Sequence, residues 1–204
     1  MPDIPSASRP VIEAAARKGV TIEVVTFPES THTAVEAAAA IGAEVAQIVK
    51  SLVFVVPDDA GSVAPVLVLT SGVNRVDIGR LAAVLGASNV RRASADEARD
   101  LTGFVIGGIP PLGHGGPIRT VMDPDLGRFP VVWAAAGTPN AVFAVPPKTL
   151  ASLTNAVVAP IAASSEPVAV GPGPGPGPGA DRPAGPGTEV GLSESRPARA
   201  ASGA

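Results

Sequence analysis

A loop of glycine and proline in the middle of the chain is the segment best suited to hold a ligand with its backbone. Residues 107–116 read Gly-Gly-Ile-Pro-Pro-Leu-Gly-His-Gly-Gly. Glycines let a ligand approach the main chain, and consecutive prolines reduce the entropy that the loop loses on binding. Such a loop can direct N–H groups at a carbonyl or a developing oxyanion. The alternative is a structural crossover between strands, and composition alone favours neither interpretation.

Lysine is scarce, and one of the three lysines has an unusual setting. Lys18 and Lys148 are expected at helix ends, whereas Lys50 lies in the apolar sequence Ile-Val-Lys-Ser-Leu-Val. Its neighbours predict an aliphatic stem in the core and an ammonium group at a strand edge or cleft. The structural interpretation is a lysine whose charge reaches water at the start of a strand. The functional one is a cation that holds a phosphate or a carboxylate.

The other reactive side chains support little chemistry. The chain has no cysteine and no Gly-x-Ser-x-Gly motif, which excludes a cysteine nucleophile and gives no support for a serine one. A metal-dependent hydrolase would have to rest on His32, His114 and Asp123, and two histidines without a cysteine make a weak metal site. We therefore expect no metal and no cofactor. His32 is predicted to be a solvated loop residue, and His114 to contact a ligand through its place in the loop.

Helix and strand signals alternate irregularly along the chain. Capping boxes at Thr33 and Ser94 and a cap at Asp77 begin helices that end at Gly42, Gly103 and Gly86, and two more helices are predicted at 11–18 and 147–153. Strands are predicted at 21–27, 51–56, 65–70, 118–122, 131–136, 141–145 and 157–161, with a further strand-like segment at 104–106. This order is not a regular βαβ series. It predicts an α+β fold with a mixed, largely antiparallel sheet or barrel of about six to seven strands and surrounding helices.

Composition divides the chain into a domain and a tail. The 204 residues include 23 Gly and 23 Pro, and residues 171–179 read Gly-Pro-Gly-Pro-Gly-Pro-Gly-Pro-Gly. Alternating proline removes every second amide donor, so neither a helix nor a sheet ladder can form there. We predict an N-terminal helix and lead-in at 1–20, a folded domain at 21–163 and a disordered Gly/Pro-rich tail at 164–204.

Net charge and hydropathy limit the location and the partners. The formal net charge of −3 does not favour DNA binding, and the apolar runs have strand length, so no membrane partner is expected. Without a leader-like segment or cysteines, the chain is expected to be cytoplasmic. A short contact with the end of a nucleic acid needs only a few cations and stays possible.

Several short motifs in one order carry a family resemblance. They are Thr33 before an alanine-rich helix, Lys50-Ser51-Leu52, residues 71–77 (Ser-Gly-Val-Asn-Arg-Val-Asp), Thr102-Gly103-Phe104, Gly107-Gly108-x-x-Pro111-x-Gly113, Asp123 and Ala136-Gly137-Thr138. Over about residues 20–163 the chain resembles the YbaK-like, prolyl-tRNA-synthetase-associated editing domains. The resemblance implies a mixed sheet or barrel surrounded by helices, and hydrolysis of the ester of mischarged aminoacyl-tRNA in trans.

The resemblance also implies roles for individual residues. Lys50 would anchor the acceptor end of an aminoacylated tRNA, and Gly108 would join it as a catalytic residue through the loop amides. The substrate would be contacted by Thr33, Gly107, Pro111, Gly113, Gly137 and Thr138. His114 is counted with them only for its place in the loop, because residues 114–116 replace a segment that varies in the family. An aminoacyl-tRNA synthetase is a second partner to consider. The hydrolysed amino acid stays open among Cys, Ala, Ser and Pro, and the alternative function is a non-catalytic module that binds an aminoacyl-adenosine-like or nucleotide ligand.

Overall fold

A computed structural model describes residues 4–28, 31, 33–58 and 61–163. The predictions for His32 and for the tail at 164–204 lie outside these residues. The described residues belong to one compact unit, residues 1–165. No helix among them is long and apolar enough to cross a membrane.

Five α-helices and eight strands are present in the described part of the chain. The helices are α1 (Arg9–Arg17), α2 (Ala34–Ile41), α3 (Ile78–Leu85), α4 (Ala95–Thr102) and α5 (Pro147–Thr154). The strands are β1 (Val24–Thr26), β2 (Ile48–Pro57), β3 (Val63–Ser71), β4 (Arg91–Arg92), β5 (Arg119–Met122), β6 (Val132–Ala135), β7 (Ala141–Val145) and β8 (Val157–Val158). Short 3-10 helices occupy Ser6–Ser8, Val45–Gln47 and Pro124–Arg128.

All eight strands form one mixed sheet. Its order is β1-β7-β6-β2-β3-β5-β8, and β4 pairs separately with β2. The centre is the long antiparallel hairpin of β2 and β3, in register from Val49 opposite Ser71 to Pro57 opposite Val63. Parallel pairs join β2 to β6, β3 to β5 and β5 to β8. The predicted α+β fold with a mixed, mostly antiparallel sheet is confirmed.

Both faces of the sheet are buried against other elements. Successive side chains of its central strand point to opposite faces, and each set belongs to a different apolar cluster. In β3, Leu67 and Leu69 belong to the larger apolar cluster, which includes residues of α1 and α5. Val66 and Val68 belong to a second cluster, which contains Leu81 of α3. A helix layer therefore covers each face of the hairpin that carries Lys50.

The predicted helix ends are confirmed in detail. Thr33 and Ser94 each form a capping box with the glutamate three residues later, and the Asp77 side chain accepts from the Arg80 N–H. The glycines that end α2, α3 and α4 all have left-handed φ angles, from 66° to 80°. Side-chain caps and glycine stops depend on local sequence, which is why single-sequence reasoning located them.

One strand prediction was wrong, and three predicted strands differ from the structure by three residues at one end. The segments predicted at 21–27 and 157–161 are strands only at Val24–Thr26 and Val157–Val158. Phe104–Ile106 is not a strand, because the Thr102 hydroxyl oxygen accepts from the Phe104 N–H and a turn from Val105 to Gly108 follows. The strand predicted at 51–56 begins three residues earlier, at Ile48, so Lys50 lies within β2. β4 was not predicted, since its two arginines are exposed and carry no apolar pattern.

Candidate active site

The candidate site lies where β2 changes its neighbour. On the edge of β2 opposite β3, Ile48 and Val49 pair with β6, and Phe54 and Val55 pair with β4. Within the described part of the chain, residues 50–52 have no strand partner on that edge. A cavity of about 290 Å³ opens at this gap. Strand pairing therefore creates an opening in the sheet beside Lys50.

Helix α2, the 106–109 turn and the connection between β6 and β7 complete the cavity wall. The lining is mostly apolar; it includes Ala34, Ala37, Ile48, Trp133 and Val142, together with Thr33, Gly107, Thr138 and Pro139. Lys50 and Arg92 are its charged residues, and among the described residues no Asp, Glu or His borders it. The cavity thus combines an apolar interior with positive charge.

Lys50 is half-buried and its Nζ donates to the backbone carbonyl of Asn74. Burial lowers the pKa of the Lys50 ammonium below its usual value, and the positive charges of Arg75 and Arg92 lower that pKa further. No salt bridge involves Lys50 among the described residues, so its charge is not neutralised by a carboxylate in contact. Such a cation is suited to an anionic or carbonyl ligand.

Arg92 reaches the cavity because its neighbour is anchored. The Arg91 guanidinium donates to both carboxylate oxygens of Glu97, at 2.8 and 2.6 Å. This bond, together with the Ser94 cap, lowers the pKa of Glu97 to about 2. Glu97 lies in the first turn of α4, so its two hydrogen bonds with Arg91 join β4 to that helix. These bonds hold β4 in place, and β4 carries Arg92 to the cavity.

The glycine–proline loop is divided between two cavities. Gly107 and Ile109 border the cavity beside Lys50. Pro111, Gly113 and His114 instead line a separate cavity of about 550 Å³, together with residues of α1 and α5. The predicted substrate-binding residues are therefore not all brought together: Thr33, Gly107 and Thr138 border the Lys50 cavity, and the second half of the loop does not.

Close backbone packing accounts for three of the predicted glycines. A Cβ on Gly108 would lie 2.7 Å from the Thr138 Cα, and one on Gly113 would lie 2.9 Å from the Pro10 carbonyl carbon. A Cβ on Gly137 would collide with the Ala7 carbonyl oxygen. In addition, the Gly108 N–H donates to the Val105 carbonyl at 3.0 Å. These contacts require glycine for packing whether or not a ligand is bound.

His114 is half-buried, and its ring nitrogens make no hydrogen bond of ordinary geometry within the described residues. Both ring nitrogens are themselves buried, and the ring meets Phe104 edge-on at 5.8 Å. Burial lowers the pKa of the His114 imidazole, and the nearby backbone of Thr102 and Pro110 opposes this effect more weakly. Within the described residues, no group of three potential metal ligands occurs.

Sequence reasoning missed several residues at the cavity. Arg92 and Trp133 border it, as does Ser51, whose buried hydroxyl has no hydrogen-bond partner in the part of the chain that the structure describes. It also missed the bonds that join Asn74 to Asp123 and Asp125. Asn74 and Asp123 do occur in the motifs of the family resemblance. No local pattern signals their contact, because it joins positions about fifty residues apart.

The fold and site define an α+β domain in which Lys50 borders a cavity at a gap in the sheet, and the comparisons with known proteins identify its family. The family model of the aminoacyl-tRNA editing domain matches residues 28–153. The chain belongs to this family.

Two curated proteins and two solved structures extend the comparison. The chain is 30% identical to the uncharacterized protein YwhH of Bacillus subtilis over 132 residues, 65% of this chain and 81% of that protein. It is 32% identical to a proline–tRNA ligase of Limosilactobacillus fermentum over 95 residues, 47% of this chain and 17% of the ligase. A structure described as a "putative trans-editing enzyme for prolyl tRNA synthetase" is 45% identical, with a TM-score of 0.72 over 79% of this chain and all of the other. The hypothetical protein APE2540 is 32% identical, with a TM-score of 0.69 over 76% of this chain and all of the other.

Proposed function

We propose that this protein is a trans-editing deacylase, which hydrolyses the ester bond of mischarged aminoacyl-tRNA. The observation that carries the proposal is the position of Lys50, a half-buried cation at an apolar cavity of about 290 Å³. Membership of the aminoacyl-tRNA editing family and the similarity to the trans-editing structure support the same reaction.

The cavity suits the reacting end of the substrate. Its volume is close to the lower limit of small-molecule sites, which run from about 300 Å³ upward. The alanines of α2 and the ring of Trp133 offer an apolar surface to a small uncharged side chain. Cys, Ala, Ser and Pro all remain candidates for the hydrolysed amino acid. The Lys50 ammonium would hold the acceptor end of the tRNA.

The reaction needs little beyond positioning. A water oxygen attacks the ester carbonyl carbon, the bond from that carbon to the ribose oxygen breaks, and the ribose oxygen takes up a proton to leave free amino acid and tRNA. The N–H groups of Gly107 and Ile109 are the candidate donors to the oxyanion, since the Gly108 N–H is engaged in the turn. Because no acidic side chain or histidine of the described residues borders the cavity, a substrate hydroxyl is the candidate for proton transfer.

The proposed partners follow from this substrate. They are the acceptor end of an aminoacyl-tRNA and, for delivery, an aminoacyl-tRNA synthetase. With a formal net charge of −3, the chain is suited to a short contact with the tRNA end rather than to a long nucleic-acid track. Charging of tRNA takes place in the cytoplasm, so the proposal includes a cytoplasmic location.

A second candidate function is a binding module without turnover. It is favoured by the absence of a carboxylate or an imidazole along the described lining of the cavity. Such a module would be stabilised against heat by an aminoacyl-adenosine analogue and would leave every ester intact.

A panel of mischarged tRNAs distinguishes the two functions. The full chain is incubated with tRNA carrying Cys, Ala, Ser or Pro, and loss of the ester is followed with time. We expect at least one substrate to be deacylated, Lys50→Ala to lower the rate at least about 100-fold, and Lys148→Ala to retain it. Lys148 is an exposed lysine of α5 and serves as the matched control. Turnover of no substrate, or full activity of a folded Lys50→Ala protein, would contradict the proposal.

A further inference from the structure

The carbonyl that holds Lys50 belongs to a residue whose own side chain is held twice. The Asn74 Nδ2 donates to Asp123 Oδ2 and to Asp125 Oδ2, both at 2.8 Å. The Asn74 carbonyl oxygen accepts from the Lys50 Nζ. One residue therefore joins the cation of the cavity to a pair of carboxylates.

The carboxylates are themselves firmly placed. Asp123 is 1% exposed, its Oδ2 accepts from the Thr70 hydroxyl at 3.0 Å, and its N–H donates to the Leu69 carbonyl at 2.8 Å. The other oxygen, Oδ1, accepts from the Asp125 N–H at the start of the 3-10 helix. The anchor for Asn74 is thus built from the ends of β3 and β5.

The carboxamide also keeps opposite charges apart. Asp123 and Asp125 contact the Asn74 side chain, and neither forms a salt bridge with Lys50 in the described part of the chain. A direct pair would neutralise the ammonium and draw it away from a ligand. With Asn74 between them, Lys50 receives a neutral acceptor and keeps its charge.

We propose that Asn74 is a positioning residue, whose side chain is clamped by Asp123 and Asp125 so that its backbone carbonyl holds the Lys50 ammonium at the cavity. The proposal rests on the proposed deacylase function for its effect on turnover, but the clamp itself is a property of the free protein. Asp125 is the position at which to test the clamp, because it is half-buried and its substitution removes neither Lys50 nor the carbonyl.

The test compares Asp125→Ala with Asp125→Asn in the full chain. Both substitutions remove one negative charge, but only Asn keeps an oxygen that can accept from Asn74. We expect kcat/KM for the aminoacyl-tRNA substrate to fall about tenfold in the Ala variant and to stay within about threefold of the original protein in the Asn variant. Asp77→Ala removes the cap of α3 next to the same loop and controls for general loss of stability.

A second measurement is independent of turnover. The ¹³Cε resonance of Lys50 is titrated without tRNA in protein labelled at its three lysines, and Lys50→Arg assigns the signal. Loss of a fixed carbonyl disfavours the charged form, so the Lys50 midpoint should be at least about half a pH unit lower in Asp125→Ala than in Asp125→Asn. Equal midpoints would overturn the clamp. Different midpoints in a protein that deacylates nothing would leave the clamp standing and overturn the proposed function.

Discussion

Lys50 lies opposite Thr70 in the antiparallel pairing of β2 and β3, and the Thr70 hydroxyl donates to Asp123. Residues directly opposite in an antiparallel pair have side chains on the same face of the sheet. The hairpin therefore places the cation of the cavity next to the threonine that orients the buried carboxylate. This register links the sheet to the candidate site, because a shift by one residue would move Lys50 to the other face.

Gly108→Ala should destabilise the protein by about 1–3 kcal/mol. The new methyl group would lie 2.7 Å from the Thr138 Cα, in contact with backbone that cannot move aside as a flexible side chain can. Gly116→Ala is the control, because nothing lies within 4 Å of its Cβ position. Chemical denaturation measures both free energies of unfolding. Equal stabilities of the two variants would show that the 107–109 turn is not packed on the β6–β7 connection.

Stability should fall on mild acidification through His114. Burial lowers the pKa of this imidazole below the value of 6.5 for an unperturbed histidine, so the unfolded chain binds the proton more readily than the folded one. The stability that the neutral His114 imidazole contributes is complete above pH 6.5 and is lost as the pH falls below that value. Urea unfolding between about pH 5 and 7.5 should show this slope, since a free histidine titrates in that range. His114→Asn should flatten the slope, and an unchanged slope in this variant would exclude His114 as its source.

Arg92→Gln should raise the Lys50 pKa. Arg92 is one of two positive charges that lower the pKa of this ammonium, and glutamine keeps much of the side chain while removing the charge. The ¹³Cε titration of Lys50 measures the midpoint. The same substitution should weaken binding of tRNA and reduce its dependence on salt, because each lost phosphate contact lowers the salt slope by about one. An unchanged midpoint would mean that the guanidinium lies too far from Lys50 to act on it.

Local signals account for the parts of the fold that the sequence predicted well. The capping boxes at Thr33 and Ser94 and the glycines that end the helices act within a few residues, so their effect can be read directly. The strand predicted at 104–106 had a suitable apolar composition, but hydrogen bonds of Thr102 and Gly108 convert it to a turn. The pairing of β4 with β2 joins positions nearly forty residues apart, and no local pattern specifies it.

The candidate site also combines features that local sequence predicted with features that depend on tertiary packing. The scarcity of lysine and the apolar neighbours of Lys50 predicted a cation at a cleft, and Lys50 does border a cavity. The composition of the glycine–proline loop predicts a single ligand site along residues 107–116. In the structure Gly113 packs against the backbone of Pro10 in α1, which carries the second half of the loop to another cavity. Which glycines face a ligand and which face another chain segment depends on tertiary packing alone.

Ser51→Ala should lower kcat/KM about three- to tenfold while leaving stability unchanged or slightly higher. The Ser51 hydroxyl is buried, borders the cavity and has no hydrogen-bond partner among the described residues. A buried hydroxyl without a partner costs about 1–3 kcal/mol, so its removal does not weaken the fold, whereas a bound substrate can supply the missing partner.

Ser8→Ala is the matched control for this prediction. Ser8 has the same kind of buried hydroxyl without a partner in the described residues, and it does not border the Lys50 cavity. Both variants should therefore unfold at or slightly above the denaturant concentration of the original protein, and only Ser51→Ala should lose activity. If the two variants keep equal activity, the Ser51 hydroxyl does not contact the substrate, and the polar recognition in this cavity rests on Lys50, Arg92 and the backbone.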